Sequence, residues 1–410
     1  MSLAGFFRRN LHEIAADPVL RLYGAALAAL HVLTFLSWRA LSVEEMIDAH
    51  GVGICWPFFE RCADFRFLSA AGARNVLWLY LAVSLVAVLL FFSRRLVPYA
   101  YWTLVLVNVF KAAIWLQDYR LRLNQHYMAL FVSLIFLFLL NKRRLLQYQI
   151  VAFYFWAGLL KLDREWLSGA ALYGKPLGVP ERWFPLACAY VVLLETVLVF
   201  GLLARRAWIF WGTFAQFVLF HITSWTVVGF FYPLLMFAIL AIFPLARIFA
   251  SREEPPGLGR LLVGREPAST AAFLSLFSLL QVVPWLFPGD TAITGEGRLF
   301  ALHMFDAKVL CRGRAMVHMT NGEIVELPLQ PRVGQRIRCD PVVYLGLANT
   351  LCRRSCREKG RCTDLDLLLS SRRSTEVAMQ PVIDVKNFCR SGVTYDLWRP
   401  NAWILKGRGP

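Results

Sequence analysis

Apolar residues fall in blocks of about twenty, divided by short polar connections, as far as about residue 287. About twenty apolar residues in a helix cross the hydrocarbon core of a bilayer. The pattern predicts nine spans, near residues 20–37, 75–93, 98–117, 127–140, 147–162, 184–204, 207–226, 229–249 and 268–287. The fourth and fifth are short. After residue 290 the blocks stop, and the chain becomes charged, cysteine-rich and interrupted by Pro and Gly. The expected architecture is an all-α polytopic membrane domain over 1–289, followed by a small α+β extracytoplasmic domain over 290–410. At the N-terminus Phe6-Phe7-Arg8-Arg9 leads into polar residues, and no small-residue cleavage site follows the first apolar run, so that run is expected to stay.

Hydrophobic residues make up 58% of the chain, above the roughly 45–50% of a soluble domain. The formal charge of +17 is largely a matter of where the arginines fall. They cluster as Arg8 and Arg9; Arg94 and Arg95; Lys142, Arg143 and Arg144; Arg205 and Arg206; and Arg247, Arg252, Arg260 and Arg265. These segments alternate with the other connections, so nine spans put all of them on one face. The positive-inside rule then places the N-terminus in the cytoplasm and the C-terminal domain outside. A bacterial inner membrane is the expected site, or the ER membrane in a eukaryote. The bland reading of these cations is attraction to anionic headgroups. Arg353, Arg354, Arg357 and Arg361 in the outer domain could face an acidic partner or simply water. The expected partner on this reading is the lipid bilayer, with no nucleic acid.

Eight of nine cysteines fall on the predicted outer side: Cys55, Cys62, Cys311, Cys339, Cys352, Cys356, Cys362 and Cys389. An oxidising compartment favours disulfides. The rival is zinc at Cys352-x3-Cys356-x5-Cys362, although no histidine lies nearby and no metal is expected. One bridge joining the first outer loop to the outer domain is a candidate. In that domain Thr320-Asn321-Gly322 predicts a hairpin turn between two strands. Asp340-Pro341 predicts the start of a helix over about 341–358, and a strand is expected within Glu376–Val385.

Ionisable groups inside a membrane cost a few kcal/mol and point to function. The candidates are His31, Lys111, His126, Lys161, Glu195 and His221. From the helical rise, Lys161 lies ~3–5 Å below the outer mouth, His126 starts flush with it and His221 lies roughly 6–7 Å below. Lys111 is about 10 Å down, with His31 and Glu195 deeper. Three basic groups from three helices are thus expected at one depth. Each also has a structural reading: a snorkelling lysine, an interfacial or packing histidine, or helix partners for Lys111 and Glu195. Ala157 and Gly158, one turn before Lys161, could allow close helix packing or leave room for a flat ring.

The run Phe153-Tyr154-Phe155-Trp156-Ala157-Gly158-Leu159-Leu160-Lys161-Leu162-Asp163-Arg164-Glu165-Trp166-Leu167-Ser168-Gly169 resembles the most specific segment of the vitamin K-dependent γ-glutamyl carboxylase family, whose wider group is called the horizontally transferred transmembrane domain proteins. Asn124-Gln125-His126-Tyr127 is similar to the family's Asn-Asn-His segment, and Phe220-His221 to its Phe-His segment. A weaker likeness continues through Asp306 and the hairpin to about Trp398. The resemblance implies that Lys161 deprotonates vitamin K hydroquinone, of menaquinol or phylloquinol type, and that His126 assists oxygenation. The expected quinone-binding residues are His221, Asn124, Lys111, Ala157, Gly158 and Trp166, and the resemblance adds a glutamate-containing peptide or protein as partner. Dioxygen and carbon dioxide are the implied co-substrates: quinol oxygenation generates a strongly basic alkoxide, which takes a γ-proton from glutamate, and the carbanion captures carbon dioxide. Animal carboxylases extend far beyond residue 410, so a shortened relative is expected, with peptide docking in question. The alternatives are a quinol epoxidase without carboxylation, and a transport or assembly protein. A transporter would show inverted repeats or helices broken near the midplane, and the sequence suggests neither.

Overall fold

The computed structural model describes residues 2–59, 61–249, 268–303, 309–331 and 337–406. Asp306, Arg252, Arg260 and Arg265 lie outside the described residues. Six helical segments are long and apolar enough to cross a membrane: Pro18–Ala40, Ala70–Phe91, Arg94–Trp115, Glu181–Leu203, Phe231–Phe249 and Ala268–Leu286. Large apolar side chains such as Leu85, Leu89, Leu186, Leu193, Leu276 and Leu279 are exposed on their outer faces, which suits lipid and not water. The chain is therefore a helical integral membrane protein. Three other predicted spans are helical but fall short of that standard. Asn124–Phe138 is 15 residues long. Lys142–Leu159 carries its basic triplet in its first turn, and Ala207–Val228 contains Gln216 and His221.

Local chemistry sets these elements. Asp17 caps Pro18–Ala40 by accepting from the Val19 amide at 2.8 Å, with Pro18 at the first helical position. This helix forms the centre of the bundle. Gly24 lets it approach its neighbours, since a Cβ there would lie 2.6 Å from the Phe91 ring and 2.9 Å from that of Phe136. Preceding it is a helix not anticipated, Leu3–Ala16, capped by Ser2. Its Phe6, Phe7, Leu11 and Ile14 repeat at helical spacing, and Phe7 packs on Trp102 at 5.3 Å. The basic triplet expected to face anionic headgroups is corrected at one residue. Lys142 is fully buried, pairing with Glu13 at 3.3 Å and with Asn10 at 2.5 Å.

Two spans are broken, contrary to expectation. Phe184–Thr196 changes at Val197 to a 3-10 segment, Leu198–Leu203. Here Gly201 packs so tightly on Thr213 that a Cβ would overlap its hydroxyl at 2.2 Å. Phe231–Leu240 likewise gives way at Ala241 to Ile242–Phe249.

Over one end of the bundle sits a cap with an antiparallel sheet of order β2-β1-β3-β4, where β1 is Val309–Met319, β2 Ile324–Leu329, β3 Cys362–Arg373 and β4 Gln380–Val385. The hairpin turns at Asn321-Gly322, with Gly322 at φ +86°. β3 was not anticipated, although Leu365, Leu367 and Leu369 alternate with more accessible positions and face the core. The helix Pro341–Leu351 continues as a π-type turn through Cys352–Glu358 and packs Tyr344 against Gly313. All eight predicted cysteines form bridges: Cys55–Cys62, Cys311–Cys339, Cys352–Cys389 and Cys356–Cys362. The zinc alternative loses its thiolates. The suggested bridge from loop to cap is also corrected, since Cys55 closes on its own loop. Polar contacts join loop and cap instead. Arg354 donates to the Gly51 carbonyl at 2.7 Å, and Tyr119 donates to Asp340 at 2.6 Å.

Candidate functional site

Lys161 lies just past the end of Lys142–Leu159, where its amide donates to the Gly158 carbonyl at 3.1 Å. Its ammonium forms an ion pair with Glu195 of the helix Phe184–Thr196, and the two side chains are 6% and 0% exposed. A carboxylate thus meets the lysine where desolvation would otherwise penalise its charge. The Trp166 ring lies 5.5 Å from Nζ and is oriented by an Nε1 hydrogen bond to the Cys188 carbonyl, 3.0 Å long. His221 is within electrostatic reach of Lys161. Its Nε2 bonds the Tyr154 hydroxyl at 2.6 Å, and its ring contacts Tyr232 at 5.5 Å.

A second cluster surrounds His126. Trp38 Nε1 donates to His126 Nε2 at 3.3 Å, so the neutral ring carries its proton on Nδ1. Lys111 is within electrostatic reach of both His126 and His31. It is 7% exposed and has no hydrogen-bond or ion-pair partner among the described residues. His31 is held by Tyr80 at 2.7 Å. The three basic groups expected at one depth therefore separate, His221 going with Lys161 and His126 with Lys111. Adjacent residues link the two clusters, with Phe231 on His126 at 5.6 Å and Tyr232 on His221.

The cap roofs the lysine loop. The last residue of β3, Arg373, lies between Asp163, at 2.5 Å, and Asp290, at 2.7 Å. Burial opposes the Arg373 charge, but the hydrogen bonds it donates to both carboxylates outweigh it and hold the guanidinium above its ordinary range. Ser374 and Thr375 donate to Glu165, the latter at 2.6 Å. Asp163 and Glu165 thus anchor the cap two and four residues past Lys161. Sequence reading missed Arg373, Ser374 and Thr375, whose partners lie 83 residues away at Asp290 and 209 or 210 away at Asp163 and Glu165.

Other predicted site residues serve as supports. Gly158 faces the neighbouring helix: a Cβ there would lie 2.7 Å from Thr196 Cγ2 and 2.9 Å from Glu195 Cβ. The space expected for a ring is therefore filled by protein, and the buried Ala157 adjoins it. Asn124 donates to the His303 carbonyl at 3.1 Å, tying its helix to the cap junction. Several buried polar atoms have no hydrogen-bond partner among the described residues: Glu195 Oε1, His221 Nδ1, His126 Nδ1 and Gln125 Oε1.

No family model, curated protein or solved structure matches the chain. Its class is that of a helical membrane protein with a disulfide-bonded cap.

Proposed function

We propose that the chain is a vitamin K-dependent γ-carboxylase-like membrane enzyme, coupling oxygenation of vitamin K hydroquinone to carboxylation of peptide glutamate. One observation carries the reading: Lys161 lies buried against Glu195 under a cap turn that is fastened to its own loop. When bound, the hydroquinone, together with dioxygen, supplies the oxidation that drives carboxylation. As an ammonium, Lys161 has no lone pair with which to act as a base. Passing its proton to Glu195 across their hydrogen bond gives an amine and a carboxylic acid, with no charge left in the low-dielectric interior. The amine can then accept a proton from a quinol hydroxyl, while Glu195 stores the first proton. His221 Nδ1 and Glu195 Oε1 orient the ring. His126 offers an N–H on the other side of Phe231-Tyr232 for the oxygenation step. The roof and the aromatic walls exclude water, which would quench a strong base.

The proposed topology has nine crossings, with the N-terminus cytoplasmic and the cap periplasmic or lumenal. The quinol then enters from lipid and the peptide from the cap side. Reporter fusions at the C-terminus should report an outside location; a cytoplasmic signal overturns the nine-crossing count.

The functional test incubates purified protein with reduced vitamin K, a Glu-containing peptide and labelled bicarbonate. Epoxide and fixed label are expected together. Epoxide alone would establish the quinol epoxidase alternative, and neither product would sink both. A transport reading has one observation in its favour, the helix broken at Val197, two residues past the buried Glu195.

A further inference from the structure

At the end of the bundle opposite the cap, a cleft of about 1020 Å³ opens between the Leu3–Ala16 helix, the start of Pro18–Ala40 and the turn into Lys142–Leu159. Arg8, Arg9, His12, Arg143 and Arg144 line it. Its two carboxylates are already engaged. Glu13 accepts from the Lys142 amide at 2.8 Å and pairs with the Lys142 ammonium. Asp17 caps its helix and pairs with Arg143 at 3.4 Å. Arg8, Arg9 and Arg144 have no ion-pair partner among the described residues. Three guanidiniums facing one cleft repel each other until an anion joins them, and their planar forks suit phosphate oxygens.

The same cleft has an apolar wall of Leu20, Leu140 and Phe249, the last half-exposed. A free phosphate would gain nothing from that wall; an acyl chain would. The level is also right. Tyr99, Trp102 and Trp208 are exposed near the arginine-bearing connections at this end, where aromatic residues mark the headgroup layer. The Leu3–Ala16 helix lays an apolar face on the bundle and turns its arginines to the cleft, as an interfacial helix does. We propose that this cleft binds the phosphate headgroup of an anionic phospholipid through Arg8, Arg9 and Arg144, with an acyl chain along Leu20, Leu140 and Phe249.

The test uses the full chain in neutral detergent and is independent of any enzymatic activity. Native mass spectrometry would follow retention of phosphatidylglycerol against phosphatidylcholine, with inorganic phosphate as competitor. One tightly retained phosphatidylglycerol per chain is expected, displaced by phosphate only at great excess. Arg8→Gln/Arg144→Gln should weaken retention by about thirtyfold. Arg94→Gln/Arg95→Gln, which removes equal charge from an exposed connection at the same end, should leave it unchanged. Equal loss in both variants would reduce the site to diffuse surface charge and overturn the proposal. So would equal retention of phosphatidylcholine, or full displacement by phosphate at equimolar concentration. The comparison of lipids on the unmodified protein decides the matter even if a variant fails to fold.

Discussion

Two buried carboxylates, Asp364 of the cap and Glu195 of the bundle, are treated differently. In the cap, Asp364 accepts from the Leu365 amide, the Cys389 amide and Arg390, all within 2.8 Å, and three disulfides surround it. In the bundle, Glu195, His221 and His126 each satisfy one polar atom and leave the other without a partner among the described residues. A buried group left half-satisfied forgoes a hydrogen bond, which stability alone does not favour. The contrast is one of particular residues, since Glu296 Oε2 and Ser371 Oγ in the cap also lack a partner among the described residues, and mutations can test what each arrangement does.

The largest effect is expected at the ion pair. Lys161→Met/Glu195→Gln removes both charges together and should keep the fold while lowering epoxide formation by at least ~10²-fold. Lys161→Ala alone is a poorer probe than a lone lysine would be. It strands the Glu195 carboxylate and should cost about 3–5 kcal/mol of stability as well. Lys161→Arg should keep the pair and the fold but fail as a base. Near-normal quinol oxidation in the double variant would remove Lys161 from the mechanism and leave the resemblance without a catalytic meaning.

Next comes the cap. Cys352→Ser/Cys389→Ser opens a bridge spanning 37 residues and should cost about 2–4 kcal/mol, seen as faster hydrogen exchange along β3 with the bundle unchanged. Alkylation of the denatured, unreduced protein should label Cys188 alone. Additional labelled cysteines would contradict the four bridges.

Much of this contrast was legible in the chain, and the rest fails for identifiable reasons. Apolar blocks reveal spanning helices because lipid demands about twenty apolar residues. The Asn321-Gly322 turn reveals a hairpin because few other residues adopt its backbone. The first helix was read as a polar tail because its charges hide a half-apolar face. Long-range pairing had no local signal. Lys161 and Glu195 were both singled out, yet nothing in either segment says that they meet. Arg373 looks like any strand-end arginine until the fold brings Asp163 and Asp290 to it. The break at Ala241 falls where Pro244 cannot supply the amide that would bond the Leu240 carbonyl, a local signal, whereas the break at Val197 has no helix-breaking residue at its own position and precedes the tight contact of Gly201 with Thr213.

Gly158 gives a smaller and sharper test of where packing ends and binding begins. Gly158→Ala should overpack the contact with Thr196 and Glu195, costing about 1–3 kcal/mol and shifting the Lys161 partner. A variant of full stability with only a raised KM for quinol would show that the glycine leaves ring space after all.

The smallest effect concerns pH and returns to the cap. Burial alone would raise the Asp364 carboxyl, but the hydrogen bonds from Arg390 and from the Leu365 and Cys389 amides overcome it and hold the group below its ordinary 3.8. Asp366, bonded by the Asn387 amide and Lys386, is lowered in the same way against its own desolvation. A carboxyl depressed in the folded state stabilises at every pH above its unfolded value and ceases to do so as pH falls through the folded one. The cap should therefore hold constant stability from neutral pH down to about 5 and lose it progressively below 3.8. Exchange protection along β3, corrected for the intrinsic pH dependence of amide exchange, measures this directly. Asp364→Asn should lower protection at neutral pH and flatten the acid limb, because the titrating group is gone. An acid limb of unchanged depth in that variant would place the sensitivity elsewhere, with Asp366 and its Lys386 partner the next pair to substitute.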